Sequence, residues 1–135
     1  MASYTANYGL HQWEATDDFL RTDFNTDFAK IDAALAGLEG DKAEIVFGNF
    51  TGDGSAVRTI DLGFTPLAVL VENADGQRGA EGYYRFGGLL VPGHTFTIGE
   101  IVSDGFKVYY SFETIKVMTN SANVVNHYIA FRPTT

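Results

Sequence analysis

Three histidines, His11, His94 and His127, are the side chains of this 135-residue chain best suited to bind a metal or move a proton near neutral pH. No two of them stand at a ligand spacing such as H-x-H or H-E-x-x-H, so no metal site within a single chain is expected. His127 falls inside a strand-like run, where a packed or hydrogen-bonded role is the expectation. Copies meeting on a threefold axis would still be able to pool one histidine each. With no cysteine, thiolate ligands, thiol nucleophiles and disulfides are excluded. The carboxylates form no evident acid and base pair, since Glu72 and Asp75 bracket a turn and Glu81 precedes a tyrosine-rich run. Fifteen glycines are present, yet "GLLVPG" and "GYYRFGG" lack the strand, loop and helix context of a phosphate cradle. Neither catalysis nor a cofactor is expected.

Aromatic residues offer a different chemistry. "GYYRFGG" (Gly82 to Gly88) and "FKVYYSF" (Phe106 to Phe112) each carry adjacent tyrosines. On a strand, one ring of each pair faces the core and the other faces outward. Outward tyrosines beside Arg85 or Lys107 suit stacking on a sugar ring or anchoring a protein contact; a subunit interface or a half-buried sheet face would use the same residues.

The elements that would hold these residues change character near Glu44. Before it, "FNTDFAKIDAALAGLEG" places Phe24, Phe28, Ile31, Leu35 and Leu38 at steps of 4, 3, 4 and 3. Those steps alternate between the a and d positions of a heptad. A helix of about 20 residues or slightly more is predicted, capped by Thr16 with Asp17 and Asp18, and stopped at Gly37 or Gly40. The seam suits either a partner helix or the chain's own sheet, and spacing does not decide between them. Asp23, Asp27 and Asp32 fall off the seam and are expected in solvent.

From Glu44 onward, short runs rich in Val, Ile, Phe and Tyr alternate with turn signals. About seven strands are predicted: "AEIVFGNF", "AVRTIDLG", "LAVLVEN", "GYYRFGGLLV", "TFTIGEIV", "FKVYYSFE" and "NVVNHYIAFR". "SDG" between Val102 and Phe106 is the clearest hairpin, because Asp-Gly accepts the positive φ of a tight turn. The last run has apolar residues on both faces and should be central in its sheet. The fold class predicted is mainly β with an N-terminal α-helix: residues 1–43 form the helical segment, and residues 44–135 form an antiparallel β-sandwich.

Charge excludes one partner class. The net charge of −8 disfavours a phosphate backbone, so nucleic acid is not an expected partner. No apolar run approaches the roughly 20 residues that cross a bilayer, and "MASYTANYGLHQWEA" lacks a basic start and an apolar core; no membrane insertion is expected, and the product is expected to be soluble and made in the cytoplasm.

Three segments carry a family resemblance. "YTANYGLHQWEATDDFLRTDFNTDFAKIDAALAG" resembles the N-terminal segment of tail-fibre and minor tail proteins of phages and prophages of Gram-positive gut bacteria. "GDGSAVRTIDLGFTPLAVLVENADG" is similar to the β-modules at the distal ends of such fibres, and "NHYIAFRP" is similar to their final strand. The resemblance implies a non-enzymatic virion structural protein that mediates attachment to a bacterial surface glycan or protein. It implies a homotrimer, with a helical bundle formed by Phe24, Phe28, Ile31, Leu35 and Leu38, and docking to other tail or baseplate proteins through the residues up to about Trp13. A receptor surface is then expected at the loops "ADGQRG", "VPGH" and "TNSAN", with Tyr83, Tyr84, Arg85, His94 and Tyr109. The chain is short for a fibre and has no repetitive shaft. A capsid or tail decoration protein without a receptor, and a surface-polysaccharide depolymerase, are therefore the alternative expectations.

Overall fold

The structure, a computed structural model, describes residues 2–76, 79–80 and 83–134. The chain divides into two compact units, one running from the N-terminus to Lys42 together with Thr134, the other spanning Ala43–Pro133.

The N-terminal unit contains a short antiparallel pair, β1 (Ser3–Tyr4) and β2 (His11–Gln12), and the helix α1 (Arg21–Gly40). The helix begins later than its cap chemistry predicts. Leu20 occupies the N-cap position with no side-chain cap, and Asp17 instead accepts the Glu14 N–H at 2.8 Å within a turn. Stacking of aromatic rings competes with helix here: Trp13 lies on Phe24 at 4.8 Å and on Phe19 at 5.3 Å between centroids. Stacking those rings on one another requires the chain to fold back before Arg21, and the cap-rich residues before it lie outside the helix. Asp27 also departs from expectation. It is 8% exposed and takes two hydrogen bonds from His11, one from the backbone N–H at 2.9 Å and one with Nδ1 at 2.8 Å. At the other end, the Asp41 N–H donates to the Gly37 carbonyl.

The β unit holds β3 (Ala43–Thr51), β4 (Val57–Asp61), β5 (Ala68–Asn73), β6 (Gly79–Ala80), β7 (Tyr84–Arg85) and β8 (Gly88–Leu90). These are followed by β9 (Thr95–Phe96), β10 (Gly99–Val102), β11 (Gly105–Tyr109), β12 (Ser111–Phe112), β13 (Lys116–Val117) and β14 (Val125–Pro133). Three four-stranded sheets result, ordered β3-β14-β5-β8, β4-β11-β10-β9 and β12-β13-β7-β6. Pairing is antiparallel except between β7 and β13. The final strand is central, flanked by β3 and β5, as its two apolar faces require.

One core joins the first two sheets. Phe50, Val69, Val71, Leu90 and Ala130 from one, and Ile60, Phe106 and Val108 from the other, cluster with Ile98. Phe106 meets Phe50 and Tyr128 edge-on at 6.2 and 5.3 Å. Hairpin β10–β11 turns at Ser103 and Asp104, with Asp104 at φ +65°, and Gly105 follows because a Cβ there would lie 2.0 Å from the Ile60 carbonyl oxygen.

Three of the expected strands are broken, each at a place where the chain changes sheet or direction. The described part of "GYYRFGGLLV", from Tyr83 on, splits between β7 and β8, where Gly87 passes so close to β5 that a Cβ would lie 2.2 Å from the Val71 oxygen. The run from Thr95 folds into the β9–β10 hairpin, with Phe96 opposite Gly99. The third leaves its sheet at Tyr110, whose N–H donates to the Ala56 carbonyl, and continues as β12 in another sheet.

Candidate functional site

An open cleft of about 660 Å³ indents the β unit. Tyr109, Tyr110, Phe112, Val57 and Val117 supply its apolar wall, and Lys107, Glu113, Thr97 and Ser111 its polar groups. Phe112 is 59% exposed and Val57 55% exposed, so both present bare apolar surface to solvent.

The cleft is positioned by a buried polar knot. Thr119 and Asn120 are fully buried. The Thr119 hydroxyl accepts the Tyr109 N–H at 3.0 Å and donates to the Ile98 carbonyl at 2.7 Å, while the Asn120 N–H donates to the Tyr109 carbonyl at 3.0 Å. Both backbone groups of Tyr109 are thus fixed from across the fold. The Asn120 side chain in turn donates to Asp53 at 2.7 Å and to the Ser55 carbonyl at 2.9 Å, tying the turn after β3 to the same knot. Gly52 is required there, since a Cβ would lie 2.1 Å from the Ser121 oxygen.

Electrostatics around Tyr109 are set by Glu100. Lys107 Nζ donates to Glu100 Oε1 at 3.0 Å and Thr95 Oγ1 to Oε2 at 2.9 Å; these bonds, Lys107 first, hold the carboxyl below its ordinary value despite partial burial. Burial pushes the Tyr109 phenol up, and the Glu100 carboxylate it bonds pushes it further. Tyr109 therefore keeps its proton and acts as a donor. Beside the cleft, Lys116 Nζ sits 4.6 Å from the ring centres of both Tyr84 and Phe112, and those rings meet edge-on at 6.2 Å. A cation held between two rings fixes Phe112 at the rim.

Of the residues singled out in the sequence, Tyr109 lines the cleft and Tyr84 packs on its rim residue Phe112. Tyr83 is 64% exposed at φ +75°, in a turn outside any strand, so Tyr83 and Tyr84 do not alternate across a sheet. Tyr110 lies past the end of β11, and both it and Tyr109 are half-buried. Arg85 is exposed and donates to the Tyr84 carbonyl at 2.9 Å. His94 is exposed, edge-on to Phe96 at 4.4 Å, and does not line the cleft. "TNSAN" is no receptor loop at its start, because its first two residues are the buried knot. In "ADGQRG", Gln77 and Arg78 lie outside the described residues, as does Glu81. His127 is exposed rather than packed, over a 110 Å³ dimple lined with Leu70, Glu72 and Ile129. Lys116 and Phe112 were not legible as site residues: the strand pairing that brings Lys116 opposite Tyr84 spans over thirty residues. Among the described residues no three His, Asp or Glu side chains gather as metal ligands.

The arrangement can stack a flat apolar or sugar-like face on Tyr109 and Phe112 and offer it a phenol, an ammonium and hydroxyls. Comparison with known protein families, with curated proteins and with solved structures finds no match for this chain.

Proposed function

We propose that the chain is a non-enzymatic structural protein of a phage virion, a short trimeric tail-fibre or tail-tip component. In this reading its N-terminal segment attaches it to the particle. Its antiparallel sheets pack as a sandwich head that contacts a bacterial surface glycan or protein. One observation carries the assembly part: of the seam residues, Phe24 stacks on Trp13 within the chain, while Phe28, Ile31, Leu35 and Leu38 are 65, 39, 58 and 53% exposed. An apolar stripe left bare on a single chain calls for a partner, and identical helices around a threefold axis supply one.

The cleft supports the binding part. Tyr109, Tyr110 and Phe112 line it with aromatic surface, beside Lys107, Thr97 and Ser111. Aromatic faces beside hydroxyl and ammonium donors suit holding a sugar. Labelled protein applied to candidate host envelopes tests this. Wild-type binding should weaken in Tyr109→Ala and in Phe112→Ala by roughly 0.5–1.5 kcal/mol each, a factor of about 2 to 10. Binding indifferent to both changes would remove the cleft from the account, and absence of binding to every envelope would favour an accessory protein with no receptor.

A further inference from the structure

The charges around the cleft differ in whether the chain itself already answers them. Lys107 Nζ is held by Glu100 at 3.0 Å, and the other Glu100 oxygen accepts the Thr95 hydroxyl, so this pair brings little net charge to the wall. Lys116 does not line the cleft; its ammonium rests 4.6 Å from the ring centres of Tyr84 and Phe112 and donates to the Tyr84 hydroxyl at 3.3 Å. Glu113 does line the cleft, next to Phe112 in the chain, and is exposed. Among the described residues it has no hydrogen bond or ion pair. The lining therefore carries one unanswered charge, a carboxylate, beside the aromatic surface of Tyr109, Tyr110 and Phe112.

We propose that the cleft selects a sugar bearing a free, protonated amine, whose ammonium pairs with Glu113 while its ring lies on the aromatic wall. The proposal rests on the reading of the cleft as a sugar site and names the class of sugar. An ammonium brought to Glu113 also meets neighbouring aromatic rings, whose faces attract cations. An anionic sugar meets the opposite: a like charge at Glu113, and the field of a chain of net charge −8 that repels it before contact. A neutral N-acetylated sugar keeps the stacking and leaves the carboxylate unanswered. The volume of about 660 Å³ falls within the range of small-ligand sites. Because Glu113 is exposed, solvent and salt screen its ion pair, so the amine sets the preference among sugars and the rings supply the common affinity.

The test is an NMR titration of the full chain with the trisaccharides of glucosamine, N-acetylglucosamine and galacturonate, at pH about 6, between the ordinary carboxylate and amine ranges. The wild type should bind the glucosamine trisaccharide roughly threefold to fivefold more tightly than the N-acetylated one, the upper range of an exposed ion pair, and the galacturonate one most weakly. Glu113→Gln changes an exposed side chain without partners, so the fold is kept, which circular dichroism verifies. It should bring the two hexosamine affinities together, and salt at about 1 M should do the same in the wild type. Equal affinities for the two hexosamines in the wild type would overturn the proposal while leaving the sugar site standing. A preference for the amine that survives Glu113→Gln would also overturn it, by assigning the selection to the net charge and not to this residue. If no trisaccharide binds, or if the shifts fall away from residues 109–113, the sugar reading of the cleft fails and the proposal fails with it.

Discussion

Asp53 shows how much one side chain is asked to do. Its carboxylate accepts the Ser55 hydroxyl at 2.6 Å and the Ser55 N–H at 2.9 Å, then the Asn120 amide at 2.7 Å, and these bonds with nearby Arg58 bring its pKa to about 2. The folded value is depressed below the ordinary 3.8, so the stabilisation is complete above the ordinary value and disappears as pH falls through about 2. Denaturant midpoints of the wild type should therefore drop across that acid window, and Asp53→Asn should show a smaller drop there. An identical drop in the variant would mean that other carboxylates set the acid limit. None of this was legible in "TGDGS" and "TNSAN" taken singly. Each reads as a turn, and the hydrogen bonds that make them one knot join residues 67 apart in sequence. Local turn chemistry is written in neighbouring residues, whereas the partner that fixes a turn belongs to the fold.

At the scale of elements, the helix illustrates both what the sequence reveals and what it hides. Its seam spacing and its end were legible, because periodicity and glycine act locally. Its start was not. Cap residues at Thr16 to Asp18 lost to the stacking of Trp13, Phe19 and Phe24, and Asp27 moved from a presumed solvated face to a buried partner of His11. Strands behaved similarly: the hairpin at Asp104 and the central final strand follow from pattern, while the breaks at Gly87 and Tyr110 depend on neighbouring strands. Burial raises the Asp27 carboxyl, but the bonds from His11 outweigh it and hold it below its ordinary 3.8. That contribution is therefore present above the ordinary value and lost as pH falls through the lower folded one. Trp13 is the chain's one tryptophan and stacks on His11 at 5.4 Å, so its emission reports on this unit alone. Emission should shift to the red below the ordinary carboxylate pH, and His11→Ala should produce the same shift at neutral pH. An unchanged spectrum in His11→Ala would show that the ring stack holds without the His11–Asp27 bonds.

For the whole molecule, the unsettled surface is apolar and belongs to both units. The seam of α1 and the outer face of β3-β14-β5-β8 each leave large side chains bare, among them Phe28 at 65% and Phe47 at 73%. Large exposed apolar patches of this kind are the sort of surface that marks interaction sites. We propose α1 as an assembly interface. Its most direct test is the solution mass, by light scattering after size exclusion, of the full chain and of a variant carrying Phe28→Asp and Ile31→Asp. Both positions are exposed in the single chain, so the substitutions spare its core. The account predicts a mass near three times 14.7 kDa for the full chain, falling in the variant. A single-chain mass for both would contradict it.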